Sequence, residues 1–417
     1  MSEVAQAAAR CKEASRVLAF LDSETKDAVL RALAGSIRAG MPNILEANTT
    51  DLADANEAGI GDAKLRRLEL RESSLEQMAA GLEQIAAMPD PIGTATRDEP
   101  VPSGLRVRKV RTPLGVVAMI YEARPGVTVD AFALCFKSGN ACLLKSGKEA
   151  AASNAALWGL AQDALREHGC PASAIELVVT SDREKLKQML TFTEAIDLVI
   201  PRGGEALIRF VHENARIPTI QHFQGVCHVY VDASADLDKA IEIVATGKTS
   251  APATCNTTEC VLVHEAVAAA FVPRLAERAA RDGFEIRAEP RFASFANGVE
   301  SVVQASADDF GHEFLDLILA AKVVGSLEDA VDHIARHGSD HTEAIVAEDV
   351  GVQREFTKRV TSSCVLVNAS TRFNDGFQLG LGAEIGISTS RFHAYGPMGL
   401  EELTTQRFVV EGSGQTR

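Results

Sequence analysis

The chain has 417 residues, 46% of them hydrophobic, and its 42 Lys+Arg against 57 Asp+Glu leave a formal net charge of −15. So acidic a surface repels nucleic-acid phosphate, which excludes DNA or RNA as the main partner, and no apolar run reaches the ~18–20 residues that cross a bilayer. Eight Cys without a C-x-x-C are too few for a disulfide scaffold, and the N-terminus has no apolar export core, so a cytoplasmic enzyme of two or three domains is expected.

Residues 1–90 read as helical. Val29, Leu30, Leu33 and Ile37 recur at helical spacing behind Asp22-Ser23-Glu24, a polar cluster suited to an N-cap. A breaker-rich stretch from Pro89 to Pro102 ends that pattern. Beyond 105, short β-branched runs alternate with helical segments. Strands are expected at Gly115–Ile120, Ala141–Leu144, Ile175–Val179 and Ile196–Ile200. Helices are expected between them at Ala150–His168, Asp182–Leu190 and Glu205–Asn214. This order implies a parallel sheet wrapped by helices, with ligands outside the C-terminal ends of its strands.

A second alternating region runs through Cys227–Val231, Cys260–His264, Leu317–Val324, Ala344–Ala347 and Cys364–Val367. The fold class is therefore α/β, with two Rossmann-like parallel-sheet domains. The Gly-rich run Gly376–Gly386 reads as a functional loop. Leu105–Val110 and Arg407–Gly412 read as half-exposed strands, the second expected to pair with another subunit.

Four clusters carry possible chemistry. Lys145-Ser146-Gly147-Lys148, placed just after the strand Ala141–Leu144, suits a phosphate or a nucleotide ribose. Pro201-Arg202-Gly203-Gly204 puts glycines at a strand-to-helix turn, where a phosphate can approach the backbone. Cys255, with Asn256 beside it in Ala-Pro-Ala-Thr-Cys-Asn-Thr-Thr, sits in a turn of small polar residues rather than in an apolar run like Cys135, Cys142 or Cys260. Such a thiol can be an exposed nucleophile served by nearby backbone N–H groups. His333, His337 and His341 are either metal ligands, with 333 and 337 on one helix face, or hydrogen-bonded histidines at a helix end stopped by Gly338.

The blocks YEARPGVTVDAF, IPTIQHFQGVCHVYV, APATCNTTE, VDHIARHGSDHTEAI and GLGAEIGISTSRFHAYGP together resemble the aldehyde dehydrogenase superfamily. Within it they resemble the branch that reduces γ-glutamyl 5-phosphate to glutamate 5-semialdehyde in proline biosynthesis. The resemblance implies a Cys255 nucleophile. It places the cofactor's adenosine ribose at Lys145 and Ser146, its phosphates at Gly203 and Gly204, and its nicotinamide ribose at Glu313, although Leu315-Asp316 replaces the family's Gly-Pro.

The same resemblance divides the chain into an NADP(H)-binding domain (1–95 and 113–226), a catalytic domain (227–390) and an oligomerisation segment (96–112 and 391–417). A homodimer or higher oligomer is implied, as are functional coupling to a glutamate kinase and no metal. The position of the family's water-activating Glu holds His222, and residues 217–231 contain no carboxylate. The position of the acidic ribose-binding residue in NAD-preferring relatives holds Lys148, which favours NADPH. The family's oxyanion Asn corresponds to Ala123, and Arg124 beside it suits a phosphoryl group. A hydrolytic NAD-dependent dehydrogenase using His222, or a zinc-dependent dehydrogenase using His333 and His337, are the alternatives.

Overall fold

Five helices open the chain in the computed structural model, which describes residues 2–417: α1 (Glu3–Leu18), α2 (Ser23–Ala39), α3 (Met41–Glu57), α4 (Asp62–Leu68) and α5 (Glu72–Ala87). Asp22 caps α2 by accepting the Thr25 N–H at 2.7 Å, which relieves one of the donors a helix start leaves unpaired. The stripe Val29, Leu30, Leu33 and Ile37 is fully buried, as its spacing predicts.

Strands β1 (Ala95–Pro100) and β2 (Arg106–Pro113) follow. The first lies inside the breaker-rich stretch, where no strand was expected. Every residue of β1 is exposed, so no hydrophobic alternation marks it. It exists through antiparallel backbone pairing with β2, and Pro100 sits at its end, where a missing N–H costs least.

The first parallel unit comprises β3 (Val116–Tyr121), α6 (Gly126–Lys137), β4 (Ala141–Ser146), α7 (Ala151–Glu167), β5 (Ile175–Val179), α8 (Arg183–Met189), β6 (Leu198–Arg202) and α9 (Glu205–Asn214). Its strand order is β5-β4-β3-β6, so the winding reverses between β3 and β6 and opens a crevice there. Several boundaries differ from expectation by one or two residues. The fourth strand starts two residues late, at Leu198; before it the Asp197 side chain caps the Val116 N–H at 2.8 Å and pairs with Lys12. The second strand runs on through Lys145 and Ser146, both paired to β5.

The second unit comprises β7 (Cys227–Val231), α10 (Leu237–Thr249), β8 (Thr258–His264), α11 (Glu265–Asp282), β9 (Glu285–Ala288), α12 (Pro290–Phe295), β10 (Val302–Gln304), β11 (Ile318–Val324), α13 (Leu327–His337), β12 (Thr342–Val346), α14 (Val350–Arg359) and β13 (Cys364–Val367). Its strands are all parallel, in the order β10-β9-β11-β8-β7-β12-β13. The short strands β9 and β10 escaped the sequence pattern.

A small pair, β14 (Ile387–Ser388) and β15 (Gly396–Pro397), precedes β16 (Thr404–Glu411). The last strand does not need a second subunit for a partner. It pairs antiparallel with β2 of its own chain, from Thr404 opposite Pro113 to Glu411 opposite Arg106. That register pairs one edge of the strand within its own chain, and as the last strand of its sheet β16 keeps the other edge open. The resulting sheet, β1-β2-β16, leaves Phe408 62% exposed.

Candidate active site

Two sheet edges of opposite polarity meet here. From the C-terminal edge of the first sheet come Arg124, just after β3, Lys145 and Ser146 at the end of β4, and Arg202 at the end of β6. From the N-terminal edge of the second come Cys255, three residues before β8, and His341, directly before β12. The rule that ligands gather at C-terminal strand ends therefore serves the first sheet only.

Cys255 is half-buried rather than freely exposed. Burial pushes its thiol up to about 11, with Arg202 pulling the other way and Glu384 and Glu313 reinforcing the rise. The resting group is a thiol and not a standing thiolate, which corrects the expectation of an exposed nucleophile. Gly225 makes room for the loop, since a Cβ there would lie 2.0 Å from the Cys255 carbonyl oxygen. The Cys255 N–H bonds no carbonyl and is directed at its own sulfur, so it remains available to an oxyanion.

Asn256 is buried, and its amide donates to the Asn374 carbonyl at 3.0 Å and more weakly to that of Arg372. Its side chain thus fixes the loop that carries the thiol. Behind it, Lys248 and Glu259 form an ion pair at 2.8 Å with both side chains fully buried.

Donor atoms of His222, Cys255 and His341 all lie within 4.8 Å of one another. His222 Nδ1 lies 3.1 Å from the Ile387 carbonyl and must carry the hydrogen, which leaves Nε2 free to accept. Burial and the nearby Arg202 hold this ring neutral down to about 4.

Arg202 is the residue sequence reasoning missed, because the Pro-Arg-Gly-Gly turn was read for its glycines alone. Neither Arg202 nor Arg124 has a side-chain ion pair or hydrogen bond among the described residues, although the two are close enough to repel. Burial and that repulsion push Arg124 down to about 10. The Gly-rich loop supports Arg202: Gly386 stands at φ 154°, and a Cβ there would sit 3.0 Å from Arg202 Nη1. Ala123, at φ 46°, donates its N–H to Glu149 at 2.8 Å.

The expected cofactor residues form a second group. Lys145 is buried, and burial lowers its pKa. Ser146 is buried beside it, and its hydroxyl donates to the Gly147 carbonyl at 3.2 Å. Lys148 is exposed. Gly203 packs tightly, its would-be Cβ 2.7 Å from Leu207, whereas Gly204 at the start of α9 faces open space. An open helix N-terminus suits a pyrophosphate, and lysines without an ion pair among the described residues suit a phosphorylated ribose. Glu313 accepts the Gly225 N–H at 2.9 Å, next to the Cys255 loop. Leu315, two residues on, adopts φ 53°.

The three clustered histidines part company. Only His341 joins Cys255. His333 and His337 end α13 on another surface of the second sheet, with their rings 4.5 Å apart. There His333 meets Cys260 at 3.9 Å, and His228 bonds Glu343 at 2.9 Å. Glu343, His228 and Cys260 stand in register on three adjacent strands. Donor atoms of His228, Cys260 and His333 lie within 4.8 Å of one another, and His337 is not part of that group.

A family model described as the aldehyde dehydrogenase family matches residues 1–288. The chain is 51% identical over 413 residues to a γ-glutamyl phosphate reductase of Sorangium cellulosum, covering 98% of this chain and 96% of that protein. It is 50% identical over 418 residues to one of Anaeromyxobacter, covering 100% and 98%. Among solved structures, a γ-glutamyl phosphate reductase of Thermotoga maritima superposes with a TM-score of 0.97 at 39% identity, covering 100% of both chains.

Proposed function

The chain belongs to the aldehyde dehydrogenase family, and we propose that it reduces γ-glutamyl 5-phosphate to glutamate 5-semialdehyde, with release of phosphate, through a Cys255 thioester and with NADPH. The observation that carries this is the company of the thiol: two guanidinium groups without side-chain partners among the described residues, with His222 where hydrolytic relatives carry their water-activating Glu. Such a site suits an anionic leaving group and disfavours hydrolysis.

The Cys255 sulfur attacks the acyl carbon; the C–S bond forms, and the C–O bond to phosphorus breaks with its electron pair leaving on phosphate. Arg124 and Arg202 hold the phosphoryl oxygens. His222 Nε2 accepts the thiol proton, and its basicity rises once the phosphoryl dianion offsets the flanking arginines. Bound NADPH supplies the hydride that converts the thioester to a thiohemiacetal. Collapse of that adduct frees the aldehyde and restores the thiol, with the Cys255 N–H stabilising the oxyanion.

Residues 1–95 and 113–226 bind the cofactor, 227–390 carry the nucleophile, and 96–112 with 391–417 join subunits into a homo-oligomer. The eight cysteines are all unpaired, and no helix is long and apolar enough to cross a membrane; both fit a cytoplasmic enzyme. Acyl phosphates hydrolyse readily in water, so a glutamate kinase is the natural supplier of substrate.

The reverse reaction tests the proposal. NADP reduction by glutamate 5-semialdehyde should require inorganic phosphate; turnover independent of phosphate would show hydrolysis instead. Lys148→Glu should move preference from NADPH toward NADH by at least about tenfold, since a carboxylate repels a 2′-phosphate and bonds free ribose hydroxyls. An unchanged ratio of kcat/KM for the two cofactors would remove Lys148 from the site, whose exposed side chain has no ion pair.

A further inference from the structure

Helix α6 is 12 residues long and nearly all of it is buried. Thr128, Val129 and every residue from Ala131 to Lys137 lie in the core, while Gly126 and Val127 are half-buried. Asp130 alone is exposed. The helix treats its two charges in opposite ways. Lys137 is fully buried, paired with Asp27 and bonded to the Ala86 carbonyl at 3.1 Å. Asp130, by contrast, has no hydrogen bond or ion pair among the described residues.

The position of Asp130 gives that absence a meaning. It lies one and a half turns beyond Arg124, on the stripe shared with Gly126 and Val127, so it opens on the crevice that β3 and β6 bound. Arg202, whose charge reaches the Cys255 thiol, also reaches Asp130. Enough protein crowds the carboxyl that desolvation lifts it to about 6, with Arg202 opposing, although water touches it. The floor of a cleft has this character, whereas an open surface does not.

A carboxylate placed there contributes nothing to packing and bears a desolvation cost, so its stabilising partner is absent from the folded chain itself. We propose that Asp130 is the subsite for the substrate's α-ammonium group, completing a charge pattern in which the unpaired arginines take the anionic end and Asp130 the cationic one. The inference rests on the acyl-phosphate reading of Cys255 given above. The substrate sets the span required: four bonds separate the reacting carbon of a γ-glutamyl group from its α-nitrogen, roughly 5 Å. An ammonium donates up to three hydrogen bonds, and a carboxylate accepts them. Discrimination for an amino acid over a plain acyl chain would then come from this one residue.

The test compares two aldehydes in the phosphate- and NADP-dependent direction: glutamate 5-semialdehyde, and 5-oxopentanoate, which differs only in lacking the α-amino group. Wild type should prefer the first. Asp130→Asn and Asp130→Ala should lower kcat/KM for glutamate 5-semialdehyde roughly 10- to 100-fold, mainly through KM, and leave 5-oxopentanoate within about twofold. Asp130→Glu should fall between. Equal losses on both aldehydes, or no loss on the amino aldehyde, overturn the subsite while the parent function stands. A wild type that reduces NADP with neither aldehyde overturns the parent function and the subsite with it. The asparagine variant is isosteric at an exposed position, and melting curves confirm that it is folded.

Discussion

Cys255→Ala abolishes turnover and leaves NADPH binding intact. The sulfur forms the bond that holds the acyl group to the enzyme, so its loss should cost roughly six decades in kcat, as removal of a nucleophile does elsewhere. The expected cofactor contacts Lys145, Ser146, Lys148, Gly203 and Gly204 belong to the first parallel unit, and only Glu313 lies in the second. NADPH fluorescence titration should therefore return an unchanged Kd. The fold should survive as well, because the half-buried side chain sits in a cleft and not in the core. Residual activity above about 1% of wild type would refute covalent catalysis at this position. Cys260→Ala, in the core, serves as the contrast: it should reduce stability and spare the chemistry.

Lys248→Met should destabilise the protein by about 3–5 kcal/mol, the cost of leaving a buried charge without its partner. Lys248 and Glu259 both have fully buried side chains, and the lysine also donates to the Asp316 carbonyl at 3.0 Å. Burial lowers the Lys248 pKa and lifts Glu259 to about 7, so desolvation disfavours both ions and their mutual attraction opposes it. The pair also braces the site. Glu259 stands four residues after Cys255 and accepts the Leu315 N–H at 3.3 Å, tying the nucleophile's loop to the segment that carries Glu313. Urea denaturation reads the stability, and kcat/KM should fall with it. Replacing both partners, as in Lys248→Met with Glu259→Leu, should recover most of the loss, because no charge then remains unpaired. A single variant within 1 kcal/mol of wild type would show that the pair does not brace the loop.

Some of this molecule was written in local pattern. The α2 stripe, the α9 boundaries and the strands at 175–179 and 227–231 follow from periodicity and breakers, since a residue's helical or strand face is set by its immediate neighbours. Cys255 stood out because a thiol in a turn of small polar residues has no packing purpose. Lys145 and the glycines 203 and 204 were visible because a strand that ends in a phosphate-binding turn has a local grammar. Strand β1 left no such trace, because its residues are all exposed and its only reason to be extended is a partner strand.

The composition of the site was a different matter. His341 joined Cys255, while His333, eight positions earlier, joined His228 and Cys260. That division depends on which strand lies beside which, and on β12 pairing with β7 across 115 residues of chain. Arg202 acquires its role only when β6 lies next to β3, and Asp130 only when the rest of α6 is covered. The sequence by itself marked most of the elements, singled out Cys255 as the candidate nucleophile and pointed to the family, because those are properties of short segments and their order. Tertiary structure alone decided which charges meet unpaired in the cleft, because parallel pairing and burial join residues whose separation along the chain carries no signal of contact.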